Sequence, residues 1–376
     1  MKTKIISAVL LALFLAGFPV ATALSPKSSF SEMENRVLAE WPNFSLKSVA
    51  DRTFMSGVEA WFSDHFVGRD LWVSAKGYLE YYSGKRENNN VYILDNRLIE
   101  DIAVPDERKT RNNIDAIRAF VDHNKKPTYL MLVPTAAGIY PDALPEGITV
   151  WDQRRYLKDI NRELVSITNE IDVSRVLYEN RSKYIFYRTD HHWTSTGAFY
   201  AFTEASERMG IHAALYKNYN IENVAHDFYG TLYSKVGYRG ISPDIISLYS
   251  RRSSEVTVTL DVFDGKETKT YSSLYFKDYL SKKDKYGVFL GQNQPMVTVR
   301  TDSKTGKSLL IFKDSFAHSF VPFLTSYYDT ITLVDLRYVN NSYTSLVSVA
   351  DYDQVLLLYS ADTFAHTTDI AKLGLS

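Results

Sequence analysis

The apolar residues of the chain fall first into one unbroken run, Ile5 to Val20, and then into alternating helical and strand-like stretches. From Phe54 to Tyr82 they recur at helical spacing with much aromatic weight (Phe54, Val58, Trp61, Phe62, Phe66, Leu71, Trp72, Tyr78, Tyr81). Glu107 to His123 reads as an amphipathic helix, and Pro127 to Val133 as a buried strand. Trp151 to Glu170 predicts a second helix, with Val173 to Leu177 and Tyr184 to Tyr187 as short strands. Ser308 to Asp314 predicts a buried strand followed by a helix to about Leu324, and Thr330 to Leu336 and Gln354 to Tyr359 the closing strands. Such alternation favours an α/β domain, a mainly parallel sheet with helices on both faces. Active sites of these sheets lie beyond the carboxyl ends of the strands. That rule puts the Pro134-Thr135 loop, the Asp190 loop, the Ser315 turn and Ser360-Ala361-Asp362 on one rim.

Two regions depart from the alternation. Ser25 to about Glu100 is a mainly helical lead-in with a polar entry, so the catalytic domain is expected over residues 101–376. Within it, about Ile211 to Gly306 looks like a β-rich insertion: Ser253 to Tyr275 alternates with a turn at Asp264-Gly265. Asp64-His65 invites an acid–imidazole reading. We read it as structural, because adjacent residues diverge on a helix and no nucleophile lies nearby.

Composition narrows the classes. The 376 residues are 45% hydrophobic and 23% charged with a net charge of −1, which suits a soluble globular protein and supplies no basic stripe for nucleic acid. Lys2 and Lys4 ahead of the first apolar run, with Ala21-Thr22-Ala23 after it, make residues 1–24 a signal peptide pattern. Ile5 to Leu24 is also about long enough to span a bilayer, so an uncleaved signal anchor is the alternative. Either reading places the body outside the cytoplasm, secreted or held at the membrane by that segment alone. With no cysteine there is neither disulfide nor thiol catalysis. No GxxxxGK loop or GxGxxG fingerprint is present, and no cofactor is expected.

The chemistry concentrates in Tyr184 to Gly197. Thr194 or Ser195 is a plausible N-cap for a helix from Gly197 to about Met209, which leaves Asp190 and His192 on the loop before it. Residues two apart in an extended or turned backbone point the same way, so the Asp190 carboxylate can fix the His192 tautomer. A Ser at a strand-to-helix turn is a candidate nucleophile, and Ser315 holds that position after the predicted strand. Adjacent histidines also suggest a metal. The usual zinc spacings and any HExxH helix are missing, so no metal is expected.

At these residues a resemblance enters. Asp190-His191-His192-Trp193 resembles the signature of the bacterial DHHW family. Together with Lys313-Asp314-Ser315-Phe316 it resembles the wider alginate O-acetyltransferase-like proteins, whose SGNH-hydrolase-like domain carries an Asp-x-His motif ahead of a Gly-Asp-Ser-like one. The resemblance runs from about Phe30 onward and implies a three-layer α/β domain of SGNH type. It implies Ser315 as nucleophile, His192 as base and Asp190 as orienting carboxylate, with His191 on the variable position and Lys313 where Gly is usual. Gly291 and Asn293, in Tyr286 to Pro295, resemble the Gly/Asn oxyanion block and would act beside the Ser315 N–H. Trp193, Tyr229 and Tyr233 are candidates for an aromatic wall that stacks a sugar ring, and Lys235 for a further substrate contact.

The implied function is an O-acetyltransferase acting on a cell-surface or exported polysaccharide. A secreted carbohydrate esterase and a noncatalytic glycan-binding protein are the alternatives. Because an exported protein does not normally meet cytoplasmic acetyl-CoA, a membrane acyltransferase that passes acetyl groups outward is the expected partner.

Overall fold

Ser308–Lys313, whose Leu309 to Phe312 are all inaccessible to solvent, runs through the middle of an eight-stranded sheet in the computed structural model of the chain, which describes residues 2–148, 150–252, 256–340 and 342–375. In spatial order the strands are Thr268–Tyr271, Val258–Phe263, Met296–Thr301, Thr330–Val334, Ser308–Lys313, Gln354–Ser360, Thr128–Val133 and Asn169–Glu170. The last five run parallel to one another, and the first three extend the sheet antiparallel. Successive side chains of a strand point to opposite faces. Leu309 and Ile311 accordingly enter an apolar cluster with Phe199, Phe202 and Phe320, while Leu310 and Phe312 enter a second one with Ile117, Phe120 and Leu157. Helix Ser195–Arg208 belongs to the first cluster and helices Glu107–Asn124 and Gln153–Leu164 to the second, so both faces of the sheet are covered.

Several elements differ from the sequence expectation. Val173 to Leu177 contains no strand; it leads into helix Ser174–Glu179. Tyr184 to Tyr187 makes a single antiparallel bridge, Phe186 with Trp193. Both are short apolar runs, for which periodicity does not separate strand from buried helix or loop. After Ser315 the helix is only Ala317–Phe320, passing into a 3-10 turn at Val321–Phe323 that contains Pro322. The section from Ile211 to Gly306 is not all a separate insertion. Three of its strands, Val258–Phe263, Thr268–Tyr271 and Met296–Thr301, are the antiparallel extension of the main sheet, and Tyr219–Phe228 pairs with Asp244–Arg251 in a hairpin sheet of their own. Of the alternation expected from Ser253, residues 253–255 lie outside the described ones.

The chain divides into two units. The larger comprises Asn90–Leu232 and Ile241–Ser376 and holds the sheet. The smaller comprises the residues up to Asn89 together with Tyr233–Gly240. It contains helices Lys2–Leu24, Thr53–His65 and Arg69–Tyr82. Its second segment is packed tightly: Tyr238 stacks on Tyr81 at 4.0 Å, and a Cβ on Gly77 would stand 2.2 Å from the Gly237 backbone, so only glycine fits there. Asp64 pairs with Arg36 and His65 bonds the Trp61 and Ser28 carbonyls, both structural contacts. Among the described residues no helix is long and apolar enough to cross a membrane.

Candidate active site

The parallel strands end level with one another. Phe312 pairs with Val334 and Lys313 with Leu358, so continuing the register brings Ser315 level with Arg337 on one side and Ser360 on the other. Asp314 fixes the turn that carries Ser315. Its Oδ1 accepts the Phe316 N–H at 2.9 Å and its Oδ2 the Ser360 N–H at 2.7 Å, tying the turn to the neighbouring strand. The Ser315 carbonyl accepts the Tyr286 hydroxyl at 3.1 Å, and the Ser315 N–H has no partner among the described residues.

The Asp190 loop is held as firmly. Buried Asp244 accepts the N–H groups of Arg188 and Thr189, each at 2.8 Å, which orients the backbone just before Asp190. Thr194 then caps the following helix through the Gly197 N–H. Asp190 Oδ1 accepts both the backbone N–H of His192 at 3.0 Å and its ring Nδ1–H at 2.6 Å. Its Oδ2 accepts the N–H and hydroxyl of Thr231 at 2.8 and 3.1 Å. Because the carboxylate can only accept, Nδ1 carries the proton and Nε2 presents a lone pair. That lone pair faces the Ser315 hydroxyl at 2.7 Å. The His192 ring lies flat on Tyr286, with ring centres 3.9 Å apart.

The electrostatics follow from this burial. Burial raises the Asp190 carboxyl, but His191, His192 and the hydrogen bonds of His192 and Thr231 outweigh it and hold Asp190 well below the usual carboxylate range. Burial first, and then the repulsion that His191 would exert on a second imidazolium, press His192 down to about 4, against the opposing pull of Asp190. At neutral pH His192 is therefore an uncharged base beside an ionised carboxylate.

Lys313 is fully buried beneath the turn. Its ammonium bonds Asp335 at 3.1 Å, Asn293 at 2.9 Å and His318 Nε2 at 2.8 Å, and Asp335 is gripped on its other side by the Arg337 fork. A lysine is thus accommodated where a Gly-Asp-Ser turn would have glycine, because the strand end sends its side chain into a polar pocket of its own. Above the turn lies a cavity of about 180 Å³ lined by Ser315, His191, Thr135, Arg337, Glu100, Asp362 and neighbouring residues.

Asp190, His192 and Ser315 thus come together; the other candidates do not join them. Gly291 turns the chain with φ +78° and its N–H is held by the Gly287 carbonyl, while the Asn293 amide oxygen accepts from Lys313; neither lines the cavity. The segment before them, Lys285–Val288, is a 3-10 turn. Trp193 is fully buried, its indole N–H on the Phe316 carbonyl, so it is a core residue and not a stacking platform. Tyr229 is half-buried outside the cavity lining, and Tyr233 and Lys235 belong to the smaller unit. Sequence reading missed Thr231 and Asp244, whose contacts join residues more than forty positions apart, and Arg337, which reaches the cavity only because its strand end lies beside that of Ser315. Asp190, His191 and His192 have ligand atoms close enough to close on a cation. His192 Nδ1 and Asp190 are already joined by a hydrogen bond, which a metal would have to replace.

Fold and site define an α/β protein with a serine, a neutral imidazole and a carboxylate in line at its strand ends. The chain belongs to the DHHW family: the model described as DHHW protein matches residues 34–126 and 116–334. A DHHW family protein from Eubacterium siraeum is similar in structure, with 25% identity, a TM-score of 0.65, and coverage of 76% of this chain and 95% of that one. PatB1 of Bacillus cereus, solved with a sulfonyl adduct, shares 16% identity at a TM-score of 0.62 over 74% of this chain and 96% of its own. The O-acetyltransferase domain of Pseudomonas putida AlgJ matches more loosely, with 15% identity and a TM-score of 0.46 over 75% of this chain and 96% of that one. Comparison with curated protein sequences finds no match.

Proposed function

We propose that this protein is an extracytoplasmic O-acetyltransferase that works through an acyl-enzyme on Ser315 and delivers acetyl groups to a cell-surface or exported polysaccharide. The observation that carries the reading is the line of hydrogen bonds from Ser315 Oγ through His192 to Asp190, 2.7 and 2.6 Å long. On a scaffold of three-layer SGNH type, His192 Nε2 takes the Ser315 proton as Oγ attacks the ester carbonyl. The oxyanion is met by the Ser315 N–H, and His192 returns its proton to the departing group of the donor. In the second half an acceptor hydroxyl gives its proton to His192, attacks the acyl carbonyl, and Ser315 leaves with that proton. Asp190 stays ionised throughout. The apolar run at the N-terminus supports export, and a membrane acyltransferase would supply the acetyl groups.

The test is covalent labelling with a sulfonyl fluoride followed by mass mapping. Label is expected on Ser315 in the native protein and absent in Ser315→Ala; a Ser315→Ala protein that still labels would remove the nucleophile. Incubation with an activated acetyl ester and oligosaccharides then separates transfer from hydrolysis. Ser315-dependent acetate release from acetylated glycans, with no acetylated product from any acceptor, would make the protein an esterase.

A further inference from the structure

The second imidazole of the motif has no task in that mechanism, yet its hydrogen bonds fix which ring nitrogen carries the proton. His191 Nδ1 lies 2.8 Å from the Thr231 hydroxyl oxygen. Thr231 has a single hydroxyl proton, and its oxygen is 3.1 Å from Asp190, a carboxylate held ionised that can only accept. Thr231 therefore donates to Asp190, and its oxygen accepts from His191. That leaves His191 with its proton on Nδ1 and, while neutral, a lone pair on Nε2. Nε2 has no partner among the described residues, His191 lines the cavity beside Ser315, and about a third of its side chain is exposed. Its ring centre is 3.8 Å from that of His192.

We infer that His191 and His192 together read two adjacent hydroxyls, so that the acceptor is a vicinal diol rather than any alcohol. This rests on the acyl-enzyme reading. One hydroxyl donates to His191 Nε2 and stays bonded. Its neighbour gives its proton to His192 Nε2 and attacks the acyl carbonyl; the bond to Ser315 Oγ breaks, and Oγ recovers the proton from His192. A single hydroxyl has only one proton and cannot serve both rings, whereas neighbouring hydroxyl oxygens stand about one hydrogen-bond length apart, a separation comparable with the 3.8 Å between the centres of the two tilted rings.

The experiment measures how the acyl-enzyme, formed from an activated acetyl ester, divides between water and an added alcohol, using ethane-1,2-diol and ethanol at equal concentration. The native protein is expected to favour the diol by about tenfold in the transfer-to-hydrolysis ratio, the size of one hydrogen bond. His191→Met, similar in bulk but without the acceptor, should bring that preference down to about two, the statistical ratio of two hydroxyls to one, while His191→Gln, whose amide oxygen can accept, should keep part of it. The ratio is independent of how much total activity each variant loses. A native protein without the preference, or a His191→Met protein that keeps it, overturns the inference. Failure of Ser315 to take a sulfonyl label would instead remove the acyl-enzyme reading, and this inference with it.

Discussion

His192 is a base only while uncharged, and its surroundings set how far into acid it stays so. Burial and the nearby His191 hold it at about 4, more than two units below an ordinary histidine. The acidic limb of kcat/KM reports the free enzyme's base. The limb for an activated ester should therefore fall with a midpoint near pH 4, activity being full above it and lost below. A midpoint near 6.5 would mean that His192 is hydrated, or that another group is the base. At this scale much of the site was legible in sequence, because Asp190 and His192 are two apart and the hydrogen bond between them is local. The Ser315 partner is 123 residues away from His192, and only the strand-end rule joins them. The substrate wall failed for a physical reason: Trp193 carries a ring that would suit a sugar equally well, but a large apolar ring in a mostly buried loop is drawn into the core.

Among the elements, long apolar strands were legible and the site's supports were not. The strands from Thr128, Ser308, Thr330 and Gln354 are continuous hydrophobic runs, as parallel strands buried on both faces must be. The loop Phe228-Tyr229-Gly230-Thr231 looked like a source of rings for a ligand. Its contribution is instead Gly230 and Thr231, which close over Asp190. A Cβ at Gly230 would stand 2.3 Å from both Cβ and Oδ2 of Asp190, a distance no side chain tolerates. Gly230→Ala should thus push Asp190 off His192, lowering kcat by about 100-fold or more while destabilising the fold by about 1–3 kcal/mol, as overpacking does. Steady-state kinetics and urea unfolding measure the two effects. A Gly230→Ala protein with native kcat would show that the Asp190 contact does not orient the base.

For the whole molecule, two buried histidines near the strand ends weaken the fold as acid is added, against the smaller opposite contribution of carboxyls that burial raises, Asp244 among them. Burial and the Lys313 ammonium hold His318 well below its ordinary value, and burial holds His192 at about 4. The unfolded chain binds a proton at each ring near pH 6.5, whereas the folded chain binds neither until the solution is far more acidic. Between those limits the unfolded state takes up more protons, so stability must fall as pH is lowered. For His192 alone the loss between pH 6.5 and 4 approaches about 3 kcal/mol at 1.36 kcal/mol per unit. Asp190, depressed in the fold, adds its own loss only below about pH 4, where the unfolded carboxyl begins to protonate. Stability should therefore weaken in two stages, histidines first and carboxylates later. Urea midpoints at pH 7.5, 5.5 and 4.5 test the first stage. A steady decline is expected, and His318→Gln should flatten part of it; midpoints that stay level down to pH 4.5 would mean that these imidazoles take up protons within the folded protein.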